Sequence, residues 1–367
     1  MFIYIFLLIS LCIGNFFDFF KIKKGYILFF INFIVIFILV STRYGIGPDY
    51  FLYERLYSEA KSVYYFNWDY YLNNKYNIEI GYLFFESLVK VFTDDFSLFL
   101  FIYNIVLFFI LFLGILNTKN YNIQLFIFFT LFHIYYISGQ RQVMAIVIFL
   151  YNIKNLLDRR YLKFFILSII GGLFHSYSIL YIFLAFLCKC KLIKYFNNRV
   201  FIFAVFLFVI YAGYMDLIGE IIKCIYFQFG SFSYIFGRIY YYYFEHYAVN
   251  SINILNSIKV IMIFSIVIYY WNSIDNRMSL ILLLYVFIFF IFVKASGAGG
   301  LAFRLSDGLL IILMPYVALL IEKLSMKKRL YFCMFITLYG SIVFCRILYI
   351  HEFFNVSTFL PYRSILF

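Results

Sequence analysis

Long apolar stretches alternate with short basic clusters along this chain, and that alternation constrains its fold more than any other feature. Residues 25–40 read GYILFFINFIVIFILV, without one charged side chain, and comparable runs of 17 to 22 residues recur toward the C-terminus. A helix needs about 20 such residues to cross the hydrocarbon core of a bilayer, whereas a barrel strand shows about ten residues of alternating character. The composition agrees: 66% of the 367 residues are hydrophobic and only 13% are charged, too little polar surface to face water on all sides. The sequence predicts an all-α polytopic membrane protein built as one domain over residues 1–367. Its expected parts are about ten full transmembrane helices, a re-entrant or short helical hairpin, and interfacial amphipathic helices on the outer face.

The net charge of +13 does not form one patch, which argues against a nucleic-acid partner. The basic residues fall in KIKK (21–24), DRRYLK (158–163), KCKLIKYFNNR (189–199) and MKKR (326–329). Short loops rich in Lys and Arg face the cytoplasm. Placing all four inside predicts spans near 2–14, 25–42, 96–117, 121–137, 142–157, 200–217, 253–271, 279–296, 306–323 and 330–349, with both termini outside. The stretch 164–188 must begin and end inside, yet it is too short for two crossings, so a shortened hairpin is expected with Gly171, Gly172, His175 and Ser176 at its tip. Segments 43–95 and 217–251 fall outside, where their tyrosines and tryptophan suit headgroup depth. The six cysteines are scattered, mostly within apolar runs, which argues against a disulfide framework.

This topology gathers polar residues at the outer ends of spans: Arg43 and Asp49 in STRYGIGPDYF, Glu79 in EIGY, Arg141 and Gln142 in SGQRQVMA, His175 at the hairpin tip, and Arg304 with Asp307 in SGAGGLAFRLSDG. Each has a bland alternative. Arg141 can snorkel to headgroup phosphates, Arg304 can pair with Asp307 three positions on, and His175 can be a packed histidine. Their convergence on one leaflet favours a site, because ionisable groups at membrane depth are costly and usually face a cavity or a partner. Guanidinium suits phosphate oxygens, so a lipid-anchored diphosphate fits the arginines. A carboxylate or histidine nearby can take a proton from an incoming hydroxyl. The residues leave Asp49, Glu79 and His175 as alternative bases. No Asp-x-Asp element occurs among these candidates, and neither a metal nor another cofactor is expected.

RYGIGPDYFLYERLY, EIGY, SGQRQVMAIVIFLYNIK, GGLFHSYSILYIFL, GAGGLAFRLSDGLLIILMP and the terminal FLPYR, taken in order, resemble the EpsG family, relatives of the Wzy-type O-antigen and capsule polymerases. The resemblance implies a glycosyltransferase of the bacterial inner membrane whose active site faces the periplasm or cell exterior. Donor and acceptor would be undecaprenyl-pyrophosphate-linked oligosaccharides, with a flippase and a chain-length regulator as candidate partners beside the membrane lipids. It assigns Arg43 and Asp49 to an R-x-G-x-G-x-D element, Glu79 to E-x-G-Y, Arg141 and Gln142 to R-Q, His175 to F-H-x-S, and Arg304 to an A-G-R-L-S-like element that Asp307 follows. An O-antigen ligase would use the same donor. A flippase or other transporter would instead place polar groups near span centres in two similar halves.

Overall fold

A computed structural model describes residues 2–74, 76, 78–189, 196, 198–229, 240, 244, 254–292, 301–353, 360 and 362–366. Among them the chain is helical, without strands. In chain order the helices are α1 (Phe2–Phe19), α2 (Gly25–Ser41), α3 (Tyr50–Glu59), α4 (Trp68–Leu72), α5 (Ile80–Val89), α6 (Phe96–Ile115), α7 (Tyr121–Leu131), α8 (His133–Ile137) and α9 (Gln140–Leu157). They continue as α10 (Tyr161–Phe174), α11 (Ile182–Lys189), α12 (Arg199–Tyr214), α13 (Leu217–Phe229), α14 (Ile254–Tyr269), α15 (Asn276–Ile291), α16 (Leu301–Leu310), α17 (Leu313–Lys323) and α18 (Met326–Phe353).

Phe2–Phe19, Phe96–Ile115 and Met326–Leu348 are each long and apolar enough to cross a membrane, and α12 with Leu217–Gln228 forms a pair bent by 54°. The other predicted spans are shorter or broken, apart from 142–157, which lies within the 18-residue α9. The expected span 121–137 is interrupted at Phe132, between α7 and α8, and 306–323 is interrupted at residues 311–312, between α16 and α17. Pro315 sits in the first turn of α17, the one part of a helix where a residue without an amide hydrogen is tolerated, so this helix has to begin close to where it does. The expected short hairpin takes a definite form. At 14 residues, α10 is about 21 Å long; the chain turns at His175, and the 3-10 segment Ser176–Tyr181 packs back on α10.

The Cα packing separates two compact units, residues 1–182 with 313–367, and residues 183–312. In the first, α7 packs against α1, α2, α17 and α18. Every residue of α7 from Asn122 to Thr130 is buried, as expected of a helix apolar on all sides. At its start one carboxylate anchors it: Asn122 Nδ2 donates to Asp18 Oδ1 at 2.9 Å, and the Ile123 amide donates to Asp18 Oδ2 at 3.0 Å. In lipid the association of such helices rests on close van der Waals packing rather than on release of water, which makes the fit of Phe126, Phe128 and Phe129, all 0% exposed, decisive. Around this core α6 packs on α9, α9 on α10, and α10 on α5.

In the second unit α15 packs against α12, α14 and α16, with the rings of Phe206 and Phe264 stacked at 3.7 Å. Asp275 caps α15 by accepting from the Arg277 amide at 2.8 Å, a bond that satisfies one of the amides orphaned at a helix start. Most of the expected outer segment 217–251 beyond Phe229 lies outside the described residues.

The other outer segment, 43–95, folds into α3, α4, α5 and a 3-10 turn at Val63–Tyr65. Trp68 and Tyr64 are largely exposed there, consistent with rings at a membrane interface. The C-terminal residues clamp its entrance. The Tyr44 amide donates to Arg363 O at 3.0 Å, the Ile365 amide to Thr42 O at 2.9 Å, and the Tyr362 hydroxyl to Leu39 O at 2.8 Å. Tyr362, Arg363 and Ile365 therefore have a mechanical role, holding the loop that carries Arg43.

Candidate functional site

Glu79 stands at the N-cap position of α5, but its side chain does not cap the helix. Its carboxylate reaches outward and joins two other elements. Oε2 accepts from Arg141 Nη1, on the second residue of α9, and Oε1 accepts from the Ser176 amide at 3.2 Å. Ser176 immediately follows His175, so one carboxylate ties α5, α9 and the hairpin tip together. The pair is partly open, with side-chain exposures of 25% for Arg141 and 17% for Glu79.

The rest of EIGY explains how this geometry is reached. A Cβ on Gly81 would lie 2.7 Å from both Leu173 Cβ and the Leu173 carbonyl oxygen, so only glycine lets α5 approach the end of α10 closely enough for Glu79 to meet Ser176. Tyr82 donates from its hydroxyl to Gln140 Oε1 at 3.1 Å, and Tyr103 donates to the Gln140 carbonyl at 2.9 Å. These bonds fix the start of α9 and with it Arg141. The buried Tyr53 hydroxyl also lies against the Arg141 guanidinium. Gly81→Ala is expected to overpack the α5–α10 contact at a cost of about 1–3 kcal/mol and to lower the thermal midpoint of the purified protein; an unchanged midpoint would contradict this account of the motif.

Asp49 approaches the same region from the other side. Its Oδ2 accepts from Ser138 Oγ at 2.9 Å, three residues before Arg141. Gly47 makes that approach possible: its φ is +97°, a conformation that side chains disfavour, and a Cβ there would meet Ile137 O at 3.0 Å. The close approach allowed by Gly47 is to the protein's own backbone.

The structure thus brings Asp49, Glu79, Arg141, Gln142 and His175 into one neighbourhood of the first unit. Among the described residues, Arg141 Nε and Gln142 Nε2 are buried without a hydrogen-bond partner. Buried donors of this kind carry the full desolvation cost until a ligand meets them. Arg43 is placed differently. It is 1% exposed, donates through Nη1 to Val40 O, and has tyrosines 4, 50, 82 and 362 around it. Arg304 and Asp307 lie on α16 in the second unit, with Asp307 buried and the Arg304 side chain outside the described residues.

Five participants were not singled out in the sequence, Tyr103 among them. Tyr53, Tyr82 and Gln140 position Arg141, and Glu86, one turn beyond Tyr82 on α5, is fully buried. Burial pushes the Glu86 carboxyl up to about 8, against the opposing pull of Arg141, the Tyr82 hydroxyl and Lys90. Glu79, Tyr82 and Glu86 stand at i, i+3 and i+7, the spacing of one helix face, a signal present in the sequence.

Among known proteins, the chain is 42% identical over 99 residues to an uncharacterized protein of Haemophilus influenzae; the match covers 27% of this chain and 94% of the relative. No solved structure matches. The EpsG family matches residues 26–364, which include every element of the site just described, and the chain belongs to the EpsG family of membrane polysaccharide-biosynthesis proteins.

Proposed function

We propose that this protein polymerises undecaprenyl-pyrophosphate-linked oligosaccharide repeat units at the outer leaflet of the bacterial inner membrane. The observation that carries this reading is Arg141 held rigidly by Glu79 beside the His175 turn while its Nε, and the Nε2 of Gln142, retain unused donors. A guanidinium fixed in advance with donors to spare suits a diphosphate whose charge grows as it leaves. In the proposed reaction a sugar hydroxyl of one lipid-linked unit attacks the anomeric carbon of the growing chain. The bond from that carbon to the diphosphate breaks, and undecaprenyl pyrophosphate departs with the electron pair. His175, in the turn that Glu79 holds beside Arg141, is the base we assign to take the proton. Arg43 supports the 42–50 loop.

A histidine base loses competence as it protonates on the acid side of neutrality, and a carboxylate base does not. Elongation by purified protein is expected to fall in mildly acid buffer, and that acid limb to vanish from the residual activity of His175→Ala. Near-normal turnover by His175→Ala would reduce the histidine to packing. Orientation is tested separately by a membrane-impermeant thiol reagent on intact cells, in a background without the native cysteines. A cysteine replacing Tyr64 is expected to react and one replacing Lys163 to stay protected; the reverse pattern would invert the site.

A further inference from the structure

A second polar feature lies further along the same face of α5. The segment from α3 to α5 encloses a cleft of about 660 Å³, within the range of small-ligand sites. Its walls carry the rings of Tyr64, Tyr65, Phe66, Tyr70 and Tyr76, and Glu86 contributes to its lining. Glu86 is 0% exposed, and neither carboxylate oxygen has a hydrogen-bond partner among the described residues. A buried carboxyl left in that condition is costly; its oxygens are closed to the cleft as they stand, and a turn of the side chain toward the cleft would let a ligand hydroxyl or amide satisfy it.

The walls are held in place before any ligand arrives. Asn67 accepts from the Tyr70 amide at 2.8 Å, the Lys61 amide donates to the Tyr70 hydroxyl at 3.2 Å, and Asn74 Nδ2 donates to Ile78 O at 3.1 Å. Tyr64 and Tyr65 nevertheless remain 80% and 68% exposed. Flat rings that stay available, mixed with carboxyl and amide groups, match a sugar, whose ring presents C–H bonds on its faces and hydroxyls around its edge. Glu59 and Asp69 outnumber Lys61 among the charged lining residues, so the cleft disfavours a uronate or a second diphosphate.

We propose that this cleft is a saccharide subsite that seats a neutral or amino sugar ring, with Glu86 as its buried hydrogen-bonding contact. The assignment rests on the reading of the Arg141 site as a polymerase centre, which the stripe Glu79, Tyr82, Glu86 joins to the cleft. Glu86 meets one hydroxyl or acetamido group, and the tyrosines cover the ring face, so that the glycan is held while its lipid diphosphate lies at Arg141.

The experiment uses full-length protein in nanodiscs and, as probe, the lipid-free oligosaccharide repeat released by limited hydrolysis from the host's own surface polysaccharide. Binding is read by saturation-transfer NMR and calorimetry. Tyr64→Ala and Tyr65→Ala, at exposed positions, and Glu86→Leu are each expected to weaken binding about tenfold, while Glu86→Gln, which keeps a donor and an acceptor, stays near wild type. Trigalacturonate is expected to give no signal. Wild-type affinity in both tyrosine variants, equal binding of trigalacturonate, or no saccharide binding by a wild-type protein that elongates would overturn the proposal. A protein that binds the saccharide through these residues and fails to elongate would refute the polymerase reading alone.

Discussion

Arg141→Lys is expected to reduce glycan elongation about a hundredfold or more while leaving the amount of folded protein in the membrane unchanged. Lysine keeps the positive charge and can still pair with Glu79, so the fold retains its tie between α5 and α9. What it lacks is the planar fork, and with it the buried Nε–H that has no hydrogen-bond partner among the described residues. Loss of one preorganised contact to a developing charge commonly costs about 3–4 kcal/mol in the transition state. If Arg141 only snorkels to lipid headgroups, an ammonium serves as well as a guanidinium, and the variant makes polymer of normal length and amount. The measurement is glycan size and yield per molecule of protein, in cells and with purified components.

Glu79→Ala is expected to have an effect as large, by a different route. Its carboxylate holds both Arg141 and the Ser176 amide, so its removal leaves a partly buried guanidinium without its counter-charge and releases the turn that carries His175. Removing one partner of a buried ion pair costs about 3–5 kcal/mol, and the partial exposure of this pair places the expected cost toward the lower end. Hydrogen exchange is expected to rise at residues 175–178 together with loss of elongation. Glu79→Gln retains an acceptor for Ser176, and is expected to keep the exchange protection while losing activity through Arg141. Unchanged protection in Glu79→Ala would show that the hairpin tip is held by other contacts.

Much of this arrangement is legible in the sequence, but unevenly. Helical class and membrane character follow from apolar runs that no water-facing fold can hide. The roles inside EIGY are less accessible, because Gly81 matters through a clash with Leu173, a residue more than ninety positions away. In the element GQRQ the sequence draws the eye to Gln142, whereas Gln140 receives the Tyr82 and Tyr103 hydroxyls. Residues two apart on a helix face different ways, so only the neighbours decide which glutamine positions Arg141. Arg43 reads as a ligand arginine at a membrane mouth, yet the fold wraps it in tyrosines beneath the C-terminal clamp. The break at residues 311–312 had a visible sign in Pro315. Glu86 had one too, in its spacing from Tyr82, but a lone acid in an apolar decapeptide gives no hint of the cleft beyond it.

The most direct measurement is elongation by the purified wild-type protein, reconstituted in liposomes with undecaprenyl-pyrophosphate-linked repeat units as its sole glycan substrate. The account predicts a ladder of lipid-linked products spaced by one repeat, with release of undecaprenyl pyrophosphate and no need for a nucleotide sugar. Substrate that stays at one repeat, or that moves to the opposite leaflet without forming a new glycosidic bond, or that is transferred only when a lipid A core acceptor is added, would contradict it.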